Sequence, residues 1–121
     1  MEYLHSVNVA HRDIKLDNIL IEEKSNMIKI IDFGFSVMCS SAQKLKIFCG
    51  TPSYMAPEIT LKKEYDGKSV DMWALGVLLF VMLTGTFPFK GISESDLYYK
   101  IQRAHYSVPD YISKEAKRII Y

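Results

Sequence analysis

The sequence predicts a mostly α-helical chain with one small β-hairpin, and three observations carry that prediction. Two short β-branched runs flank a polar stretch. A continuous apolar run of helical length follows. Two serines then each precede a helical segment with acidic residues near its start.

The elements come in a definite order. Met1-Glu2-Tyr3-Leu4-His5 reads as the end of a longer helix. Ile19-Leu20-Ile21 and Met27-Ile28-Lys29-Ile30-Ile31 are strands joined by a turn at Glu22-Glu23-Lys24-Ser25-Asn26. Phe33–Glu58 keeps neither the helical nor the strand period and carries Gly34, Gly50, Pro52 and Pro57. At about 26 residues it is longer than an idle connection and reads as a functional loop. From Ser69 the pattern is helical and apolar on every face through Leu83, stopping at Thr84-Gly85, as a helix inside a larger body of protein does. Met72, Trp73, Phe80 and Met82 are assigned to the core. Ser93 opens a second helix, with Glu94 and Asp96 in its first turn, running to about Ala104. Ser113 opens a third, with Glu115 near its start. No repeat and no linker divides the chain.

Composition narrows the function. The 121 residues are 49% hydrophobic and 24% charged, with a net charge of +1 from 15 Lys+Arg and 14 Asp+Glu. A domain of this size buries roughly two-thirds of its unfolded surface. There is no basic excess to bind nucleic acid or an anionic membrane surface. The most apolar stretch, Met72–Leu83, is about 12 residues long and short of the roughly 18 that span a bilayer. Cys39 and Cys49 are too few for a disulfide framework, and Met1–Ala10 lacks the basic start and apolar run of a secretory signal. A soluble protein of the cytoplasm or nucleus is expected.

The chemistry is concentrated in His11-Arg12-Asp13-Ile14-Lys15-Leu16-Asp17-Asn18 and, after the hairpin, Asp32-Phe33-Gly34. Gly50–Glu58 (GTPSYMAPE) and Asp71–Gly76 (DMWALG) follow. Here the chain resembles the eukaryotic serine/threonine protein kinases, with a flavour of the calcium/calmodulin-dependent ones. The first two stretches fit the H-R-D-x-x-x-x-N loop and the metal-binding D-F-G; the third ends in A-P-E. The four motifs stand in family order with family-like spacing and cover essentially the whole chain. The resemblance implies the truncated C-terminal lobe of a protein-kinase-like fold, so that residues 1–121 form a partial kinase domain.

It also implies roles. Asp13 accepts the proton of the substrate hydroxyl and orients it. Lys15 offsets charge on the transferring phosphoryl group. Asn18 and Asp32 are hard oxygen ligands for Mg²⁺ on the phosphates of ATP. Thr51 bridges the catalytic aspartate and lysine and, with Lys15, favours Ser/Thr-bearing protein substrates over tyrosine. Leu20 forms the floor under adenine, with plain strand packing as the alternative. Asp17 either reads basic residues upstream of the target or is a surface carboxylate. His11 and Phe33 stack into the core, Trp73 is structural, and Asp71 holds the backbone of the His11-Arg12 turn.

Two departures from the family pattern stand out. Arg12 normally pairs with a phosphate on the activation segment, yet the usual accepting position is Ile47, which cannot be phosphorylated. Ser40 or Ser41 substitutes, or Arg12 is satisfied otherwise, or activation does not use this switch. The second departure is that no Gly-rich loop and no strand lysine precede His11. Glu58 lacks the arginine it normally meets unless Arg118 or solvent serves. The chain is therefore expected to be the middle of a kinase domain, inactive without the N-terminal lobe and exposing an apolar surface where that lobe docks. Two alternatives are a non-catalytic interaction module and, less in keeping with the A-P-E and GTP elements, a small-molecule phosphotransferase.

Overall fold

In the computed structural model, which describes residues 1–40 and 43–120, the chain opens with a short helix, α1 (Glu2–Ser6). Strand β1 (Val9–Ala10) follows, then a 3-10 turn at Leu16–Asn18. That turn leads into β2 (Ile19–Glu22), which pairs antiparallel with β3 (Met27–Ile30), Ile19 facing Ile30 and Glu22 facing Met27. The polar turn closes through the Asn26 amide, which donates to Glu22 O at 2.8 Å. The predicted hairpin is thus present. Only its base is anchored: Ile19 and Ile30 pack against the core, and the rest of both strands is exposed.

The long aperiodic segment holds more structure than its sequence pattern suggests. β4 (Val37–Met38) pairs antiparallel with β1, giving a second two-stranded sheet where one hairpin was expected. A 3-10 turn at Pro52–Tyr54 and a one-turn helix, α2 (Pro57–Thr60), complete the segment. Two-residue strands have no room for the alternation that betrays a strand, so their pairing is set by the core beneath them.

Helix α3 (Gly67–Thr84) runs 18 residues and ends at Gly85. It starts two residues earlier than the apolar pattern, because Asp66 is its cap: Asp66 Oδ2 accepts from the Ser69 amide at 3.0 Å. Gly67 is required there, since a Cβ would lie 2.7 Å from Ala10 Cβ of β1. α3 is long and apolar enough, by length and composition, to cross a membrane, a property it shares with core helices. Helices α4 (Glu94–Arg103) and α5 (Lys114–Ile120) begin after Ser93 and Ser113 as predicted. Ser93 Oγ accepts from the Asp96 amide and Ser113 Oγ from the Ala116 amide.

α3 stands between two apolar clusters. One contains Ala10, Cys39, Leu45, Ala56, Ile59, Tyr65 and Val70, and the other Ile14, Tyr54, Ala74, Val77 and Leu78. Because Ala10 lies in the first and Ile14 in the second, His11-Arg12-Asp13 is strung between two fixed points. Each fully buried Val, Leu or Phe side chain contributes about 1.5–3 kcal/mol to holding this arrangement. Phe80 belongs to the interior and Trp73 is half-buried, stacked on Phe89 with ring centroids 6.0 Å apart. Met72 and Met82 do not belong to the core; they are 53% and 65% exposed. α3 is apolar on every face, but its neighbours cover only part of its circumference.

Candidate active site

The backbone of His11-Arg12 turns back on a carboxylate. Asp71 of α3 is fully buried, and its Oδ2 accepts from the His11 amide at 2.8 Å while Oδ1 accepts from the Arg12 amide at 2.7 Å. Arg12 has a φ of +67°, an unusual conformation for a residue with a Cβ, which points both amides at one side chain. A third donor completes the set: Nε2 of His5, from α1, stands 3.0 Å from Asp71 Oδ2. A buried carboxylate without such donors would be costly. The contact to the turn agrees with the sequence expectation for Asp71. The part of His5 was missed, because nothing in its spacing links it to a residue 66 positions away.

His11 is fully buried and ties this turn to the far end of the hairpin. Its Nδ1 accepts from the Asp13 amide at 3.2 Å, so Nε2 carries the proton given to Ile31 O at 3.0 Å. Phe33 meets the His11 ring edge-to-face at 4.9 Å between centroids. Phe33 is otherwise 46% exposed, so its expected place within the core is corrected to a single ring contact on the surface.

Three side chains close a triangle at the centre. Thr51 donates its hydroxyl to Asp13 Oδ1 at 2.7 Å and accepts from Lys15 Nζ at 3.0 Å. Lys15 Nζ also pairs with Asp13 Oδ2 at 3.1 Å. Burial pushes the Asp13 carboxyl upward, but the hydrogen bonds from Thr51 and Lys15 and the Lys15 charge outweigh it and hold the group below its ordinary 3.8. Asp13 is therefore ionised at neutral pH. Thr51 is delivered by a turn that needs Gly50: its φ is +120°, and a Cβ would stand 3.0 Å from Arg12 O.

Asn18 and Asp32 approach each other through the hairpin register. The Ile31 amide donates to Asn18 O at 3.0 Å, which places Asn18 beside the residue preceding Asp32. Asn18 Nδ2 donates to Asp13 O at 2.9 Å and to Asp13 Oδ2 at 3.3 Å, so its amide nitrogen is engaged and its Oδ1 is the atom available to a cation. Asp32 is exposed, with φ of +61°, and Oδ1 accepts from the Gly34 amide. Among the described residues no group of three His, Cys, Asp or Glu gathers to form an all-protein metal cage. One carboxylate and one amide oxygen suit Mg²⁺, which takes few protein ligands and completes its shell with phosphates and water.

The remaining candidates divide. Leu20, on the exposed hairpin, is 52% exposed. Asp17 is a surface residue of the 3-10 turn. Ser40 is exposed, and Ser41 lies outside the described residues. The Glu58 side chain makes no ion pair among the described residues, with Arg118 or any other cation. Arg12 meets neutral acceptors: Nε donates to Phe35 O at 2.6 Å and Nη1 to the Tyr65 hydroxyl at 3.0 Å. Tyr65, like His5, carried no signal in the sequence, since an aromatic residue just before a helix reads as packing.

The protein kinase domain family matches residues 1–121. The chain is 45% identical over 120 residues to the probable serine/threonine-protein kinase MARK-A of Dictyostelium discoideum, covering 99% of this chain and 11% of that protein. It is 44% identical over 123 residues to the CBL-interacting serine/threonine-protein kinase 7 of Arabidopsis thaliana, covering 100% of this chain and 28% of that one. Against the SNF-related serine/threonine-protein kinase of Homo sapiens, identity is 42% over 120 residues, covering 99% and 16%. The chain thus spans well under a third of the length of these relatives. A family match from first residue to last, over a chain whose H-R-D and D-F-G elements fold against one another, makes this chain a member of the protein kinase domain family.

Proposed function

We propose that this chain carries the phosphoryl-transfer centre of a serine/threonine protein kinase, forming part of that domain's C-terminal lobe. The observation that carries the reading is the Asp13–Thr51–Lys15 triangle, which binds the A-P-E-containing segment to the H-R-D loop through charge-assisted hydrogen bonds. Relatives named as serine/threonine kinases support the choice of Ser/Thr hydroxyls in protein substrates.

In this reading Mg²⁺–ATP, when bound, supplies the electrophilic γ-phosphoryl group and its charge neutralisation. Asn18 and Asp32 would hold the metal, and Leu20 would lie under the adenine. Asp13 accepts a hydrogen bond from the incoming hydroxyl and aims its oxygen. Because its pKa is low, it orients strongly and takes the proton late, as the hydroxyl becomes acidic. Lys15 faces the negative charge that develops on the transferred group. Asp71, His5 and His11 keep the loop backbone in register and touch no reactant.

The 121 residues contain no Gly-rich loop and no strand lysine to grip the nucleotide, so turnover requires an N-terminal lobe. The exposed hairpin residues Leu20, Ile21, Met27 and Ile28 offer an apolar surface for it. A cytoplasmic or nuclear site of action is part of the same proposal. A non-catalytic interaction module is the second reading, favoured by that same exposed surface. The test is Mg²⁺-dependent labelling of a serine peptide by residues 1–121 joined to a kinase N-terminal lobe, against residues 1–121 alone. Labelling by the joined protein, lost in Asp13→Ala, is expected. Full folding without labelling would favour the interaction module.

A further inference from the structure

Arg12 carries a permanent positive charge, yet every group it meets is neutral. Nε donates to Phe35 O at 2.6 Å, and Nη1 donates to Tyr65 Oη at 3.0 Å with a longer contact to Ile47 O at 3.4 Å. It forms no ion pair among the described residues. Tyr65 in turn donates its hydroxyl to Ile47 O at 2.6 Å. The three residues thus form a closed set in which one phenol links a cation on the H-R-D loop to the backbone of residue 47.

Tyr65 is well placed for this. It is 2% exposed and belongs to the cluster with Ala10, Leu45 and Val70. Its backbone exchanges two hydrogen bonds with Leu45, Leu45 N to Tyr65 O at 2.8 Å and Tyr65 N to Leu45 O at 3.1 Å. Phe48 tilts over its ring at 6.3 Å between centroids. The segment from Leu45 to Phe48 is therefore gripped at the backbone, at a carbonyl and at an aromatic face by one residue. Burial pushes the phenol above its ordinary value, although the Arg12 hydrogen bond and charge pull the other way. It keeps the proton it gives to Ile47 O.

We propose that Tyr65 is a positioning residue that occupies the role of an activation-segment phosphate, latching residues 45–48 to Arg12 through its uncharged phenol instead of a second charge. The segment is then held against the catalytic loop without phosphorylation, which Ile47 forbids at its own position. This rests on the kinase reading for the meaning of the segment. Amide exchange is read without turnover, so an inactive chain leaves the test intact.

The experiment is hydrogen exchange of the full chain, unmodified, following the Leu45 amide and, as a folding control, the amides of α3. In Tyr65→Phe the ring stays in the core and the latch is lost. Exchange at Leu45 is expected to rise about tenfold, the ratio one net hydrogen bond corresponds to, with α3 unchanged. Should Tyr65→Phe lose α3 protection as well, Arg12→Ala gives the same comparison from the other side and is expected to loosen Leu45 alone. The unsubstituted chain should hold Leu45 nearly equally from about 0.05 to about 0.5 M salt, because a cation bonded to buried neutral acceptors has no opposite charge for salt to screen. Leu45 exchange within twofold of the unsubstituted chain in a folded variant overturns the proposal. So does protection that falls with salt, or that arises only after phosphate is placed on Ser40 or Ser41.

Discussion

Thr51 gives its hydroxyl to Asp13 at 2.7 Å across 38 residues of sequence, and that bond joins two motifs that are meaningless apart. It holds the carboxylate in place and offers Lys15 a second acceptor.

Thr51→Ala should therefore loosen both neighbours. In a protein carrying this chain with a complete nucleotide site, the rate should fall about 10- to 100-fold, as expected for one lost charge-assisted hydrogen bond. Thr51→Ser keeps the hydroxyl and should retain most activity. Steady-state phosphorylation of a serine peptide distinguishes them, and equal rates for alanine and serine would remove Thr51 from the centre.

Asp71→Ala leaves the His11 and Arg12 amides and the His5 ring without their shared acceptor. A loss of about 3 kcal/mol or more is expected, because buried donors lose their partner outright. Urea unfolding followed by Trp73 fluorescence measures it. His5→Ala removes one donor of three and should cost clearly less.

Of the three carboxylates with lowered pKa values among the described residues, Asp13, Asp66 and Asp96, the first is buried and the second partly so, and through these two acid should destabilise the fold. At Asp66 burial acts upward, but the hydrogen bonds from Ser69 outweigh it, as those from Thr51 and Lys15 do at Asp13. A group whose folded pKa lies below its unfolded one contributes stability fully above the unfolded value. For both, that contribution is complete above about pH 4 and fades as pH falls through the folded values. Asp66→Ala removes the cap at a cost of about 1 kcal/mol at neutral pH and should flatten part of the acid slope. Thermal melts between about pH 2.5 and 7 read both effects.

The exposed hairpin should make the isolated chain self-associate. Ile21 and Ile28 form a cross-strand pair on one face, 63% and 66% exposed, and Leu20 and Met27 are more than half exposed on the other; exposed apolar surface of this kind drives association. Ile28→Lys is expected to shift sedimentation toward monomer with little change in melting temperature.

Much of this molecule was legible in its sequence wherever the cause is local. The hairpin follows from β-branched runs around a polar turn, α4 from Ser93 and its acidic first turn, and the end of α3 from Gly85. Residues 11–18 and 32–34 carried the family resemblance, since order and spacing survive without coordinates. Where the start of α3 was misread, the signal was local too: Asp66 is a good cap, but the apolar run begins only after it.

Other features were decided by tertiary structure alone. The β1–β4 pair, the gathering of His5, His11 and Arg12 on Asp71, and the Tyr65 bridge to Arg12 join residues that no periodicity relates. The exposure of Met72 and Met82 belongs with them, because an all-round apolar helix does not say which of its faces will be covered. Local sequence sets the preferred conformation of each segment and the chemistry of its side chains. Which distant polar groups meet depends on where packing two apolar clusters around α3 carries each segment, and only the assembled core determines that.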